Sequence, residues 1–336
     1  MHQIADILGE RPNPELFHAV QRPLAAAANE VCILCRSTLE MSFPGLSDTR
    51  FGVPGLYDVY RCARCGLEET LPRPSASELK TLYETYYNFG GETGTRYTRW
   101  REHFFFSFLN RLWSFLDGDI SFYQRRGTGR LLDIGCNEGR GLRIYARNGF
   151  KVEGLELNTT AAAVARNNDF NVHTCLLDEF RPTTAYDVAV LSNVLEHSLN
   201  PKQMLMDVRR ILEDSGQVWI SCPNSESWLR RVFGRSWINW HVPFHITHFS
   251  AANLRELLKC TGYGQIKVRQ ITPALWVAQS VIAYFFAARS KKNRQLRNPF
   301  LTLFLMLLAR FALFPVLWLE NRRGHGDCLS VVASKS

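Results

Sequence analysis

Arg130-Leu-Leu-Asp-Ile-Gly-Cys-Asn-Glu-Gly-Arg140 is the stretch on which the fold turns. Leu131 to Ile134 reads as a short buried strand, and the glycines at 135 and 139 break it into a turn ahead of an amphipathic segment starting near Gly141. A strand, a glycine turn and a helix start in that order let backbone approach a ligand closely and favour an anionic group there. A second strand follows from Lys151 to Leu157 and carries Glu156 near its end, 23 residues after Asp133. In such folds a carboxylate at that place receives the hydroxyls of a ribose. Alternating strands and helices predict an α/β, doubly wound Rossmann-like sheet. The turn is not G-x-G-x-x-G, because Asn137 stands where a middle glycine belongs, and no Walker lysine follows, which argues against NAD and ATP.

Three further stretches extend the pattern. Tyr186-Asp-Val-Ala-Val-Leu-Ser-Asn-Val-Leu-Glu-His197 and Leu212-Glu-Asp-Ser-Gly-Gln-Val-Trp-Ile-Ser-Cys-Pro-Asn224 are strands with polar ends, and a last strand lies near 327–334. Together with the glycine turn and Glu156, this succession resembles class I S-adenosylmethionine-dependent methyltransferases, over about residues 128 to 272. The resemblance implies that Asp133 and Gly135 orient the methionine moiety, that Cys136, Asn137 and Gly139 form the closing loop, and that Glu156, with Leu157 beside it, holds the ribose. Asn193 would lie beside the methionine or the reacting methyl. The family often places an Asp after the third strand for the adenine amino group; here that position is Leu176, with Asp178 and Glu179 just beyond.

On the acceptor side, Glu196-His197 resembles a pair found in small-molecule O-methyltransferases, where it would position substrate, support a metal or brace the loop. Trp237-Ile-Asn-Trp-His-Val-Pro-Phe-His-Ile-Thr-His-Phe249 carries three histidines and is expected to cover the acceptor pocket. A neutral imidazole there could take the proton of an acceptor hydroxyl, with His245 first and His241 and His248 as alternatives. Zinc binding by these three is disfavoured, since their spacing needs a helix that Pro243 interrupts. Arg230, Arg231 and Arg235, among aromatic and aliphatic neighbours, suit a phosphate or a stacked sugar.

Cys32-Ile-Leu-Cys35 and Cys62-Ala-Arg-Cys65-Gly66 are paired C-x-x-C knuckles whose spacing suits one structural Zn²⁺ held by four thiolates. With no open position, that metal would hold structure together. The other cysteines stand singly among apolar residues and read as core. From 66 to 128 runs an aromatic-rich stretch with helical periodicity at 76–88 and 97–117, and Ser75 and Ser77 as starting caps. The expected organisation is a zinc-ribbon module at 1–75, an aromatic helical connector at 76–127 and a methyltransferase domain at 128–336.

The 336 residues carry 46% hydrophobic and 21% charged side chains, which excludes disordered, collagen-like and coiled-coil classes. The net charge of +9 suits phosphate-bearing partners: nucleic acid, anionic lipid or a diphosphate-linked substrate. The first thirty residues contain acidic residues and prolines and no signal-peptide apolar run, so the chain is expected to face the cytosol. Between the last two expected strands, 273–325 forms a hydrophobic helical insertion: Ala274 to Ala288, a basic turn from Arg289 to Arg297, and Pro299 to Leu319. Both ends must return to one sheet, so a hairpin lying in the membrane interface at the cytoplasmic face of the inner membrane is expected rather than a span. A helical cap or dimer interface is the alternative.

The expected activity is methyl transfer from S-adenosylmethionine to a hydroxyl of a saccharide or lipid-linked glycan intermediate. The other readings are a quinone-precursor O-methyltransferase, an RNA methyltransferase and a non-catalytic zinc-ribbon scaffold. Nucleic acid is disfavoured, because no Asn/Asp-Pro-Pro-Tyr motif is present.

Overall fold

The computed structural model describes residues 30–86, 118–289 and 291–336. The aromatic segment expected as a helix at 97–117, and residues 1–29, lie outside the described residues.

Seven strands build the main sheet: β4 (Arg130–Ile134), β5 (Lys151–Leu155), β6 (Val172–His173), β7 (Tyr186–Ser192), β8 (Leu212–Pro223), β10 (Tyr263–Ile271) and β11 (Cys328–Lys335). Their order is β10-β11-β8-β7-β4-β5-β6, parallel through β8, β7, β4, β5 and β6, with β11 and β10 antiparallel. The expected doubly wound Rossmann-like sheet is therefore present. Its central strands are buried on both faces, with Leu131, Leu132, Ala189, Val190, Leu191 and Ile220 almost inaccessible, as unbroken apolar runs require. Helices α2 (Arg140–Arg147), α3 (Thr159–Arg166), α4 (Pro201–Ile211) and α6 (Ala251–Cys260) accompany these strands. Ser250 and Asn253 form a capping box at the start of α6.

The ribbon is a second sheet of β1 (Leu39–Leu46), β2 (Tyr57–Cys62), β3 (Glu68–Leu71) and β9 (Thr247–His248), in that order. Its last strand comes from the histidine-bearing segment, 175 or more residues downstream in the chain. That segment is not a surface loop over a pocket. Trp237, Ile238, Phe244, Ile246 and Phe249 are fully buried, so the stretch is a core wedge between the two sheets. Asp327, at the start of β11, anchors it by accepting from Trp237 Nε1 at 2.8 Å and from Asn239 Nδ2 at 3.0 Å.

Two of the arginines read as phosphate ligands are structural ties. Arg230 pairs with Glu68 at 2.5 Å, donates to the Ser225 carbonyl at 2.6 Å, and lies 4.5 Å over the Trp240 ring. Arg235 donates to the Gly45 carbonyl at 2.6 Å. The arginines of helix α5 (Trp228–Phe233) and its C-terminal turn thus join the ribbon to the larger domain, because their partners are a buried carboxylate and a ribbon carbonyl.

The ribbon leads into α1 (Ala76–Tyr86), where Ser75 and Glu78 exchange backbone–side-chain bonds as a cap. The insertion comprises α7 (Ala274–Phe286), a 3₁₀ turn at Arg294–Arg297, α8 (Pro299–Phe311) and α9 (Phe314–Arg323). The apolar run from Pro299 to Leu319 is not continuous: α8 and α9 meet at a bend of 69°. No single helix among the described residues is long and apolar enough to cross a membrane.

Candidate functional site

At the carboxyl end of β4 the chain turns through three left-handed residues, Gly135 (φ 73°), Asn137 (φ 51°) and Gly139 (φ 79°). Asparagine tolerates this region, so Asn137 keeps the bend that a middle glycine would make. A Cβ at Gly135 would sit 2.9 Å from Val194 Cγ2, and one at Gly139 would sit 2.9 Å from the Ala165 Cβ, which is why neither position accepts a side chain. The Asn137 N–H donates to Glu156 Oε2 at 2.9 Å, and the Asn158 N–H to Glu156 Oε1 at 2.8 Å. Glu156 therefore braces the loop across from β5. Each of its oxygens keeps acceptor capacity for a hydroxyl.

Asp133 is 6% exposed beneath the start of α2, and a Cβ on Gly141 would come within 2.5 Å of its Oδ2. Burial, reinforced by the nearby Glu156 charge, pushes its carboxyl up to about 7. A cationic ligand would draw it back to the carboxylate. Asn193 closes the site after β7 with φ 54°; its Oδ1 is buried and has no hydrogen-bond partner among the described residues. Leu157 and Leu176, 61% and 49% exposed, are apolar faces beside this end of the sheet. Asp178 is exposed nearby, and Cys136 is buried against Gly154 with its thiol pushed up by desolvation.

The residues fit S-adenosylmethionine in its chemistry. A buried carboxyl stands ready for a cationic ammonium, a second carboxylate for a diol, an unsatisfied amide oxygen for a polar donor, and exposed leucines for an adenine face.

A second cluster lies behind this site. His197, in the short 3₁₀ turn Leu195–His197, meets His241 and His245, their candidate ligand atoms all lying within 4.8 Å of one another. His248, the expected third member, is elsewhere: its Nε2 faces Thr70 Oγ1 at 2.9 Å in the ribbon. Burial pushes the His197 imidazole down to about 4 and His241 and His245 well below the usual range, so all three are neutral. Desolvation also raises the Glu196 carboxyl to about 8. Tyr83 of α1 reaches His197 Nδ1 with its hydroxyl at 2.9 Å, a contact nothing in the sequence announces.

In the ribbon, Cys32 Sγ and Cys65 Sγ are 3.6 Å apart and Cys35 Sγ and Cys62 Sγ 3.3 Å apart, and the four sulfurs lie within 4.8 Å of one another. Tetrahedral Zn–S bonds of about 2.3 Å place sulfurs about 3.8 Å apart, so the four cysteines fit one structural Zn²⁺.

A sheet of this order, with a glycine loop held between two strand-end carboxyls, defines the Rossmann-like methyltransferase class. A family profile described as a methyltransferase domain matches residues 97–268, just over half of the chain, and the chain belongs to that family. It is 32% identical over 148 residues to a Mycolicibacterium smegmatis protein named as a probable S-adenosylmethionine-dependent methyltransferase, covering 42% of this chain and 56% of that protein. It is 30% identical over 124 residues to the ubiquinone biosynthesis O-methyltransferase of Erwinia tasmaniensis, covering 34% and 51%. The chain spans about half the length of the curated relatives it matches. A crystal structure of a SAM-dependent methyltransferase from Thermotoga maritima superposes with a TM-score of 0.45 at 17% identity, covering 72% of this chain and 97% of that one.

Proposed function

We propose that the chain transfers a methyl group from S-adenosylmethionine to a hydroxyl of a saccharide or lipid-linked glycan intermediate, working at a membrane surface. The observation that carries the reading is the pair Asp133 and Glu156 flanking the glycine loop in a member of the methyltransferase domain family. Asp133 would receive the cofactor's cationic end, Glu156 its ribose hydroxyls, and Asn193 Oδ1 a polar donor beside the methyl. The methyl moves from sulfonium to acceptor oxygen, releasing S-adenosylhomocysteine and the hydroxyl proton. His241 and His245 are neutral, but their depressed basicity makes them weak proton acceptors, so this reading rests on alignment more than on a base.

Peripheral membrane contact is supported by the outward face of the insertion. Phe285, Phe300, Phe304, Phe311 and Trp318 are 70%, 79%, 63%, 64% and 46% exposed. Clustered exposure of large apolar rings in one short insertion supports an interaction site there. Arg289, Lys291 and Lys292 are exposed within a few residues of these rings, as an anionic bilayer surface would require. A quinone-precursor acceptor is the second reading, favoured by the names of the curated relatives and equally a membrane-borne substrate.

Glu156→Ala removes one or two charge-assisted bonds to the ribose, about 1.5 to 3 kcal/mol each, and calorimetry should show weaker cofactor binding accordingly. Because Asp133 ionises near 7 and the bound cation selects the carboxylate, wild-type affinity should rise with pH toward about 7 and level off above it, and Asp133→Asn should flatten the profile. Unchanged affinity in both variants refutes the cofactor assignment. Radiolabelled methyl appearing in saccharide-bearing lipid, in quinone precursors or in RNA decides the acceptor.

A further inference from the structure

We propose that His197, His241 and His245 form a second metal site for a divalent ion of the zinc type, which the Glu196 carboxyl, 3.9 Å from His245, would close onto as fourth ligand. The site lies where the methyltransferase sheet meets the ribbon, and it stands apart from the methyl-transfer reading, since neither depends on the other.

Glu196 is the first sign. It is 1% exposed, and neither carboxyl oxygen has a hydrogen-bond partner among the described residues. A buried carboxyl without a donor is costly and is found where a cation completes it. Arg50, packed near the same rings, donates its guanidinium to the Ile238 carbonyl at 3.1 Å, and among the described residues no donor reaches either Glu196 oxygen. Among the described residues the charged-type neighbour of Glu196 is His245, whose Nε2 lies 3.9 Å from Oε1.

The imidazoles are the second sign. His245 Nδ1 lies 2.8 Å from the Asn239 carbonyl, and His197 Nδ1 lies 3.0 Å from the Phe244 carbonyl. A carbonyl only accepts, so each Nδ1 carries the proton and each Nε2 keeps its lone pair. Backbone carbonyls holding the far nitrogen are what orient metal-ligating histidines. His241 Nδ1 is 3.3 Å from His245 Nε2. Two nitrogens bound to one tetrahedral ion at about 2.0 to 2.1 Å lie about 3.3 to 3.4 Å apart, so that pair already has ligand spacing. Three imidazoles and one carboxylate suit Zn²⁺ and its near neighbours, not Mg²⁺ or Ca²⁺. The interruption at Pro243 does not prevent the site, because the third histidine comes from the turn after β7 and no continuous helix is needed.

The test is metal stoichiometry on the full chain, purified in non-chelating buffer. About two ions per chain are expected, falling to about one in His241→Asn or Glu196→Gln, with the cysteine site still loaded. Retention of that cysteine-bound ion and an unchanged circular dichroism spectrum show that a variant has folded. Cobalt substitution of the wild type provides a second measurement that needs no variant. The cysteine site contributes thiolate charge-transfer absorption, and a second equivalent of Co²⁺ should add visible bands without further charge transfer. One ion per chain, lost entirely in Cys62→Ser, with no second equivalent of Co²⁺ or Zn²⁺ taken up at micromolar concentration, overturns the proposal. So does an unchanged two-ion content in a folded His241→Asn protein.

Discussion

The two arms of the insertion are similarly apolar in sequence and meet opposite fates. Helix α7 buries Trp276, Val277, Ala278, Ile282 and Ala283, joins the clusters around Trp237, Ile238 and Trp240, and exposes rings only in its last turn, at Tyr284, Phe285 and Phe286. Helices α8 and α9 bury little beyond Thr302, Met306, Ala309 and Leu317, and leave a row of aromatic rings facing outward. The first arm follows directly from β10 and is caught against the histidine wedge; the second reaches the same cluster with buried side chains only at Met306, Ala309 and Leu317. Apolar composition therefore says that a surface must be covered, while position in the fold decides whether protein or something else covers it.

The sharpest way to test this contrast is to truncate one ring in each arm. Trp276→Ala should cost about 3 to 5 kcal/mol in a denaturant titration, as large core truncations do. Phe304→Ser should shift stability by no more than about 0.5 kcal/mol, the usual range for exposed positions. Equal losses would mean that α8 is as deeply packed as α7, and the contrast would collapse.

Ring for ring, the next effect is the binding by the outer face. Phe300, Phe304 and Phe311 changed together to Ser should abolish flotation with anionic vesicles, since each ring that enters lipid contributes about 1.5 to 3 kcal/mol. Thermal stability should hold. If the wild type fails to float but dimerises, and the triple variant is monomeric, the face is an interface between copies.

The smallest effect per residue concerns the basic turn. Replacing Arg289, Lys291, Lys292, Arg294 and Arg297 with Gln should weaken vesicle binding by about 1 kcal/mol for each surface-engaged residue, only at low salt and only with anionic lipid. A loss that persists in high salt would assign the turn to folding instead. The structure offers a reason to look, because Lys292 bridges to Phe51 and the Asn293 N–H donates to the Arg50 carbonyl, fastening the turn to the ribbon.

The glycine loop was the most legible part of the molecule. Asp133, Gly135, Asn137, Gly139 and Glu156 lie within two adjacent parallel strands and the turn between them, so their mutual placement follows from local pattern and strand pairing. The two C-x-x-C knuckles were legible for the same reason, each being a short turn with its ligands at a fixed gap. The histidines were not. His241, His245 and His248 look equivalent in sequence, yet one faces Thr70 in the ribbon while the other two meet His197 from the turn after β7. Arg230 likewise carries no mark that its partner is Glu68, 162 residues away.

Sequence alone thus determined the α/β class, the glycine loop with its flanking carboxyls, the thiolate set and the apolar insertion. Each is encoded in residue types at short spacing, where backbone geometry leaves few alternatives. Tertiary structure alone decided that the histidine segment is a core wedge, that Glu196 is buried without a donor among the described residues, that the second apolar run breaks at 69°, and which arm of the insertion mostly faces outward. Those outcomes depend on which distant segments pack together, and burial sets both the protonation of a side chain and the partners within its reach.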